Sequence, residues 1–252
     1  MPSKILLSLG LLPLLLLTGA GRPKPSFPAT PSLPPHADGF ALIELFTSEG
    51  CSSCPPADEL TASLSKSYPS GVYLLSFHVD YWDRLGWKDP FSKADYSLRQ
   101  KEYNTAISPM PDIFTPQVII NGKVELVGSD EPRIRAAIEN ELAHTVNPTI
   151  DASAHSTGNT VTVDFTLAKG QGALQAALIQ LQASTAVGKG ENAGKQLHHA
   201  DIVRDLKSSG KNKGSLTLTI PAGLTAADCK VVVLLRDKDN LHTGGVRTLD
   251  IH

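Results

Sequence analysis

The chain has 252 residues, of which 41% are hydrophobic and 19% charged, and its formal net charge is −2. That length admits one large domain or two ordinary ones with real cores, so size alone demands no disulfide staple. The charges are mixed along the chain with no basic stripe to neutralise phosphates, which excludes nucleic acid as an expected partner.

The first 20 residues read as a secretory signal: Lys4, an apolar run over 5–17, then Thr18, Gly19 and Ala20 as a small-residue cleavage site. The run is shorter than the roughly 20 residues a spanning helix needs, and no later segment is long and apolar enough to cross a bilayer. No stable membrane span is therefore expected after signal cleavage, and the expected location is secreted or periplasmic, where disulfides persist. Residues 21–38 hold Pro23, Pro25, Pro28, Pro31, Pro34 and Pro35, the composition of an extended linker without a core.

Residues 40–46 are apolar and β-forming and stop at Thr47-Ser48-Glu49-Gly50, so they read as a strand entering a turn. Cys51-Ser-Ser-Cys54-Pro-Pro follows, then a short helix over 57–67 with Leu60 and Leu64 on one face. A second buried strand is expected over 72–79 and a charged helix over 93–106, separated by an aromatic and acidic stretch at 78–91. Val118-Ile119-Ile120, Asn121-Gly122 and 124–127 form a hairpin pattern, because Asn-Gly tolerates the positive φ angles of a type I′ turn. Ser129 is placed to cap a helix over 131–143, whose Ile134, Ile138 and Leu142 are spaced to face a sheet. Residues 39–146 thus read as an α/β domain.

From Pro148 onward the texture changes to alternating stretches at 161–167, 174–181, 216–220 and 231–235, separated by Gly, Asn, Lys and Ser clusters and by a long loop near 188–195. Residues 147–252 accordingly read as a C-terminal antiparallel β-sandwich domain.

The three cysteines, Cys51, Cys54 and Cys229, make one pair and one leftover. A C-x-x-C pair in an exported chain is open to three readings: a redox dithiol, a fixed disulfide, or half a zinc site. Its setting, between a strand with a Gly turn and a helix N-terminus, favours a thiolate through exposed N–H groups and the helix dipole. Cys51 is expected to be the more exposed and more acidic thiol. Cys229, just before the apolar run at 231–235, is expected to be a buried structural thiol.

Thr115-Pro116 stands immediately before the hairpin strand. If that strand pairs antiparallel with the first, Pro116 lies beside the dithiol turn, and a cis peptide there would present backbone to an extended substrate. His78, Asp80, Trp82 and Asp83 follow the second strand and, if it runs parallel to the first, open on the same edge. His78 or Asp80 would tune the thiols there or, with both sulfurs, bind a soft metal such as copper; the alternative is an aromatic wall around a pocket. His198-His199 would face opposite ways in a strand and so cannot readily share an ion. No nucleophile-elbow sequence is present, Asp151 and Asp164 show no acid–base spacing, and no cofactor and no dedicated metal site is expected.

The run Glu44-Leu-Phe-Thr-Ser-Glu-Gly-Cys51-Ser-Ser-Cys54-Pro, with Thr115-Pro116 before a hairpin and a closing helix, resembles the thioredoxin superfamily, its strand-to-Cys segment the glutaredoxin-like branch. Pro55-Pro56-Ala57-Asp58, His78-Val-Asp-Tyr-Trp82-Asp83 and the exported two-domain layout resemble, from Phe40 to the C-terminus, a bacterial secreted family of unknown function, DUF1223. The resemblance implies a thioredoxin-like fold for 39–146, Cys51 as attacking cysteine, Cys54 as resolving cysteine, and Thr115-Pro116 as the substrate-docking loop. It implies a monomeric thiol–disulfide oxidoreductase acting on protein or small-thiol disulfides. The alternatives are a non-enzymatic protein-binding module with a structural disulfide, and a copper chaperone using the two thiolates with His78. Two departures stand out. The position of thioredoxin's buried acid is Leu45 here, and strand alternation turns the neighbouring Glu44 to the other face, which disqualifies it as proton carrier. Pro55-Pro56 moves the helix start toward Cys54.

Overall fold

The computed structural model describes residues 39–252 apart from 69, 109–111, 145–149 and 168–171. The signal pattern, the Pro-rich stretch and the expected boundary at 146/147 lie outside the described residues.

Strand β1 (Ala41–Thr47) is buried along its whole length, as its apolar sequence requires of a central strand. It pairs in parallel with β2 (Val72–His78), from Ala41 opposite Val72 to Thr47 opposite His78. The crossover is helix α1 (Pro55–Ser67), whose Ala57 and Leu64 pack with Ile43, Leu45 and Leu74. On the other side of β1 runs β3 (Gln117–Ile120), antiparallel, with Phe46 opposite Gln117. The Asn121-Gly122 turn, φ 49° and 68°, returns the chain as β4 (Val124–Val127), the paired positive φ angles that sequence predicts. Asn121 has a second task, since its side chain accepts from Leu42 N and donates to the Phe40 carbonyl and Glu141. Helix α3 (Glu131–Leu142) is capped by Asp130, whose carboxylate accepts from Arg133 N, and not by Ser129. Helix α2 (Ala94–Ile107) covers the opposite face, with Tyr96 and Tyr103 against Phe46 and Phe77. Helices α1 and α3 therefore cover one face of β1–β3 and α2 the other.

The remaining strands are β5 (Ile150–Thr157), β6 (Thr160–Leu167), β7 (Ala173–Ala186), β8 (Gln196–Ser209), β9 (Lys213–Thr219), β10 (Cys229–Arg236) and β11 (Thr243–Leu249). They join the first four in one eight-stranded sheet of order β11-β10-β7-β8-β2-β1-β3-β4, with β5-β6-β9 as a separate three-stranded sheet. The join is a parallel contact of β2 with β8 at Ser76 and Ile202, reinforced by Ser76 Oγ donating to the Ala200 carbonyl at 2.8 Å. The core under α2 crosses it too: Leu42, Phe46 and Phe77 share a cluster with Ala177, Ile179, Val203 and Val232. The three-stranded sheet lies on β7 and β10 through Val161, Val163 and Phe165 against Leu174, Ala176, Val231 and Val233. Cys229 opens β10 as a free, buried thiol in that cluster. For the site, the important pair is β7–β8, a long hairpin whose tip, residues 187–195, reaches the end of β1.

Candidate functional site

Cys51 and Cys54 are joined by a disulfide with their Cα atoms 5.4 Å apart. Cys54 is the N-cap of α1 with helical dihedrals, φ −78° and ψ −40°, and Pro55 and Pro56 fill the first helical positions, where a missing N–H costs nothing. The Cys54 carbonyl accepts from Ala57 N and Asp58 N, so Cys54 belongs to the first turn and Asp58, four residues on, shares its face. Cys51 Sγ lies 3.4 Å from Ser53 Oγ.

The Thr115–Pro116 peptide is cis. Register places it at the dithiol end of β1, because Gln117 pairs with Phe46. Gly128 makes room for it: a Cβ there would come within 2.9 Å of Pro116 Cβ and 3.0 Å of Ala57 Cβ, so Pro116 and the start of α1 close on one glycine. Trp82 Nε1 donates to Thr115 Oγ1 at 2.8 Å, and a Cβ at Gly50 would meet Trp82 Cβ at 3.0 Å. Trp82 thus spans the dithiol turn and the Pro116 loop, a wall as the sequence allows.

His78 and Asp80 go elsewhere. Asp80 Oδ1 accepts from Ser97 Oγ at 2.5 Å, which ties it to the start of α2. His78 is fully buried beneath the turn with its Nδ1 2.7 Å from Asp89 Oδ2, and that carboxylate also accepts from Glu49 N and Phe91 N. Burial pushes Asp89 up, but His78 and these N–H donors prevail and hold it below its ordinary range. The His78 ring meets the His199 ring edge-on at 4.8 Å, and His199 Nε2 lies 3.1 Å from Glu49 Oε1. Trp87 Nε1 donates to the other Glu49 oxygen at 2.8 Å. Asp58 completes this buried group: Thr47 Oγ1 donates to its Oδ2 at 3.1 Å. Burial raises Asp58 from 3.8 to about 7, against the pull of His199 and Thr47 and reinforced by the charges of Asp89 and Glu49. Among the described residues, His78 Nε2 and His199 Nδ1 have no hydrogen-bond partner. Among the described residues no three His, Cys, Asp or Glu side chains converge to hold a metal ion.

Glu44 lies on the other face of β1, as alternation requires, paired with Arg99 at 2.6 Å and accepting from Tyr103 at 2.5 Å. Burial works against its charge, and Arg99 nevertheless keeps the carboxyl below its ordinary value.

The expectation of an exposed Cys51 is corrected. Both cysteines have zero relative exposure, while Ser52 and Ser53 between them are exposed. The β7–β8 tip holds the main chain of this turn: Asn192 Nδ2 donates to the Glu49 and Cys51 carbonyls, each at 2.9 Å, and Glu191 Oε2 accepts from Ser52 N at 3.0 Å. Asn192 is 141 residues from Cys51 in sequence, so no local signal announces it. Sequence reasoning passed over Asp58, whose four-residue spacing to Cys54 was the one local signal for it, whereas Glu49, Asp89 and His199 become a group only through the fold.

A family model described as "Protein of unknown function (DUF1223)" matches residues 42–236. The chain belongs to the DUF1223 family. A structural-genomics target protein of Agrobacterium tumefaciens is 26% identical, covers 86% of this chain and 95% of its own, and superposes with a TM-score of 0.61. HBP35 of Porphyromonas gingivalis, 13% identical, covers 85% of this chain and 76% of its own with a TM-score of 0.56, a likeness of fold alone. No curated protein matches. Within this DUF1223 chain the match runs from β1 into β10, so the dithiol turn, the Pro116 loop and the β7–β8 tip all lie inside the family region.

Proposed function

We propose that this DUF1223 protein is an exported thiol–disulfide oxidoreductase whose residues 39–146 form a thioredoxin-like scaffold. The observation that carries the proposal is a disulfide at the first turn of α1, with Pro116 and Ala57 of that turn closing together on Gly128. The scaffold reading is supported by parallel β1–β2, antiparallel β1–β3–β4, and helices on both faces. The β-rich remainder then contributes a cover to the site and a second surface for a partner.

The chemistry proceeds from the reduced dithiol. The Cys51 thiolate, favoured by the positive end of the α1 dipole, attacks one sulfur of a partner disulfide. The Cys51–partner bond forms as the partner S–S bond breaks, and the second partner sulfur leaves with the electron pair and takes a proton from water. Cys54 then transfers its proton to Asp58, which burial poises near neutrality. The Cys54 thiolate attacks Cys51 Sγ; the internal disulfide forms, the mixed disulfide breaks, and the first partner sulfur leaves as a thiolate. Two electrons pass from the dithiol to the partner. Run backwards from the disulfide, the same steps oxidise a partner dithiol.

The test is a trap. A Cys54→Ser variant cannot resolve a mixed disulfide, so with an unfolded, disulfide-bearing polypeptide it should accumulate a reducible adduct on Cys51. The Cys51→Ser/Cys54→Ser protein should accumulate none. Absence of any adduct in the single variant would leave the disulfide a structural one.

A further inference from the structure

The disulfide is fully buried, and the main chain of its turn is held by a specific set of contacts from a part of the chain that builds none of β1–β4. Asn192 has zero relative exposure, and its amide donates to two main-chain carbonyls on either side of Gly50, those of Glu49 and Cys51. Its own carbonyl oxygen accepts from Lys195 Nζ at 2.9 Å, which fixes the orientation of the amide. Glu191 accepts from Ser52 N, and hydrogen bonds from the Ser52 side chain and backbone keep its carboxylate below its ordinary value. The tip rests on Trp87: a Cβ at Gly188 or Gly190 would come within 3.3 and 3.2 Å of that side chain, tighter than an ordinary contact, so the glycines allow the backbone to lie close. Gly190 and Gly194 also adopt φ of +78° and +81°, which glycine takes at no cost. Apart from Val187 and Asn192 the tip is exposed from Gly188 to Lys195, so little apolar burial holds it down. Local opening at low cost is the property expected of such a segment.

The groups engaged by the tip are main-chain ones, the Glu49 carbonyl, the Ser52 N–H and the Cys51 carbonyl, which also accepts from Cys54 N at 3.2 Å, all next to the disulfide. Another polypeptide in extended conformation offers matching N–H and C=O groups; a compact thiol without peptide groups offers none. We propose that the β7–β8 tip is a latch that closes the dithiol to compact thiols and yields to an extended polypeptide, whose peptide groups replace those of Asn192 and Glu191. The proposal deepens the exchange reading by naming its substrate class and rests on that reading for this alone; the closed latch stands on geometry.

Reduction of the wild-type disulfide by dithiothreitol and by an extended cysteine-containing peptide is compared with that of Asn192→Ala, the rates being normalised to thiolate concentration. Removing two hydrogen bonds should open the latch by a factor of roughly ten to a hundred. Dithiothreitol should therefore reduce the variant that much faster, while the peptide gains far less, so that the preference for peptide seen in the wild type collapses. Asn192→Asp, of the same shape but with no amide donor, should behave alike. Cys229, buried in the other cluster, is the control for general loosening, and its alkylation rate should not change. An unaltered dithiothreitol rate in both variants overturns the latch. Equal gains for both reductants overturn the polypeptide preference, and acceleration matched at Cys229 overturns local opening. Because any disulfide can be reduced chemically, these outcomes are independent of whether the Cys54→Ser trap captures a partner.

Discussion

Asp58→Asn should flatten the dependence of stability on pH. In the folded protein the carboxyl is raised from 3.8 to about 7, chiefly by burial, with His199 of β8, Thr47 of β1, Glu49 of the turn and Asp89 of the following loop around it. Between those two values the native state holds a proton that the unfolded chain has released. The associated stability is complete below pH 3.8 and is lost as pH rises through about 7. A gap of about three units, at 1.36 kcal/mol each, sets a ceiling of about 4 kcal/mol on the effect. Asparagine keeps the shape and can still accept from Thr47, but it does not titrate. Urea unfolding of both proteins at pH 4.5, 6 and 8 reads the difference directly. Relative to the variant, the wild type should lose stability as pH rises, by up to about 3 kcal/mol across this range, the rest of the ceiling lying below pH 4.5. Parallel curves, or a wild type that gains on the variant as pH rises, would refute the assignment of a buried, proton-holding Asp58.

Two further substitutions probe the frame of the site. Glu44→Gln removes the charge that faces Arg99, itself only 5% exposed, and should cost about 3–5 kcal/mol in urea unfolding because a buried guanidinium is left unpaired. Gly128→Ala forces a methyl to within 2.9 Å of Pro116 Cβ and 3.0 Å of Ala57 Cβ. It should cost about 1–3 kcal/mol by overpacking and slow exchange, measured by insulin reduction, by shifting the Pro116 loop from the dithiol.

Much of the first segment was legible because local rules decide it. The apolar run of β1, the Asn121-Gly122 turn and the spacing of Ile134, Ile138 and Leu142 each specify their element without distant help. The turn from Gly50 into α1 was equally local, down to a helix starting at Cys54 as Pro55-Pro56 suggested. Strand β8 was not legible: Gln196–Ser209 carries His, Asp, Arg and Lys throughout, and it is a strand because it is held between β7 and β2. With β8 unread, the texture change at Pro148 gave no hint that one sheet runs through both segments, since the join rests on Ser76 and Ile202. The exposure of Cys51 was misjudged for the same reason. A helix N-terminus predicts an accessible thiol, and nothing near Cys51 in sequence says that it is fully buried or that Asn192 holds its carbonyl. Asp80 is a smaller case, because a residue at the right edge of a sheet can still turn its carboxylate to a neighbouring helix, here to Ser97 Oγ.

The central claim, that Cys51 and Cys54 exchange electrons with partner thiols, is tested most directly by the reduction potential of the pair. Equilibrating the protein with glutathione buffers, with time for the latch to open, and following the dithiol by alkylation gives the value. An exchanger should fall between about −120 and −270 mV. A potential below about −300 mV, the range of disulfides that the glutathione pool does not reduce, would contradict the account and make the Cys51–Cys54 bond a fixed staple.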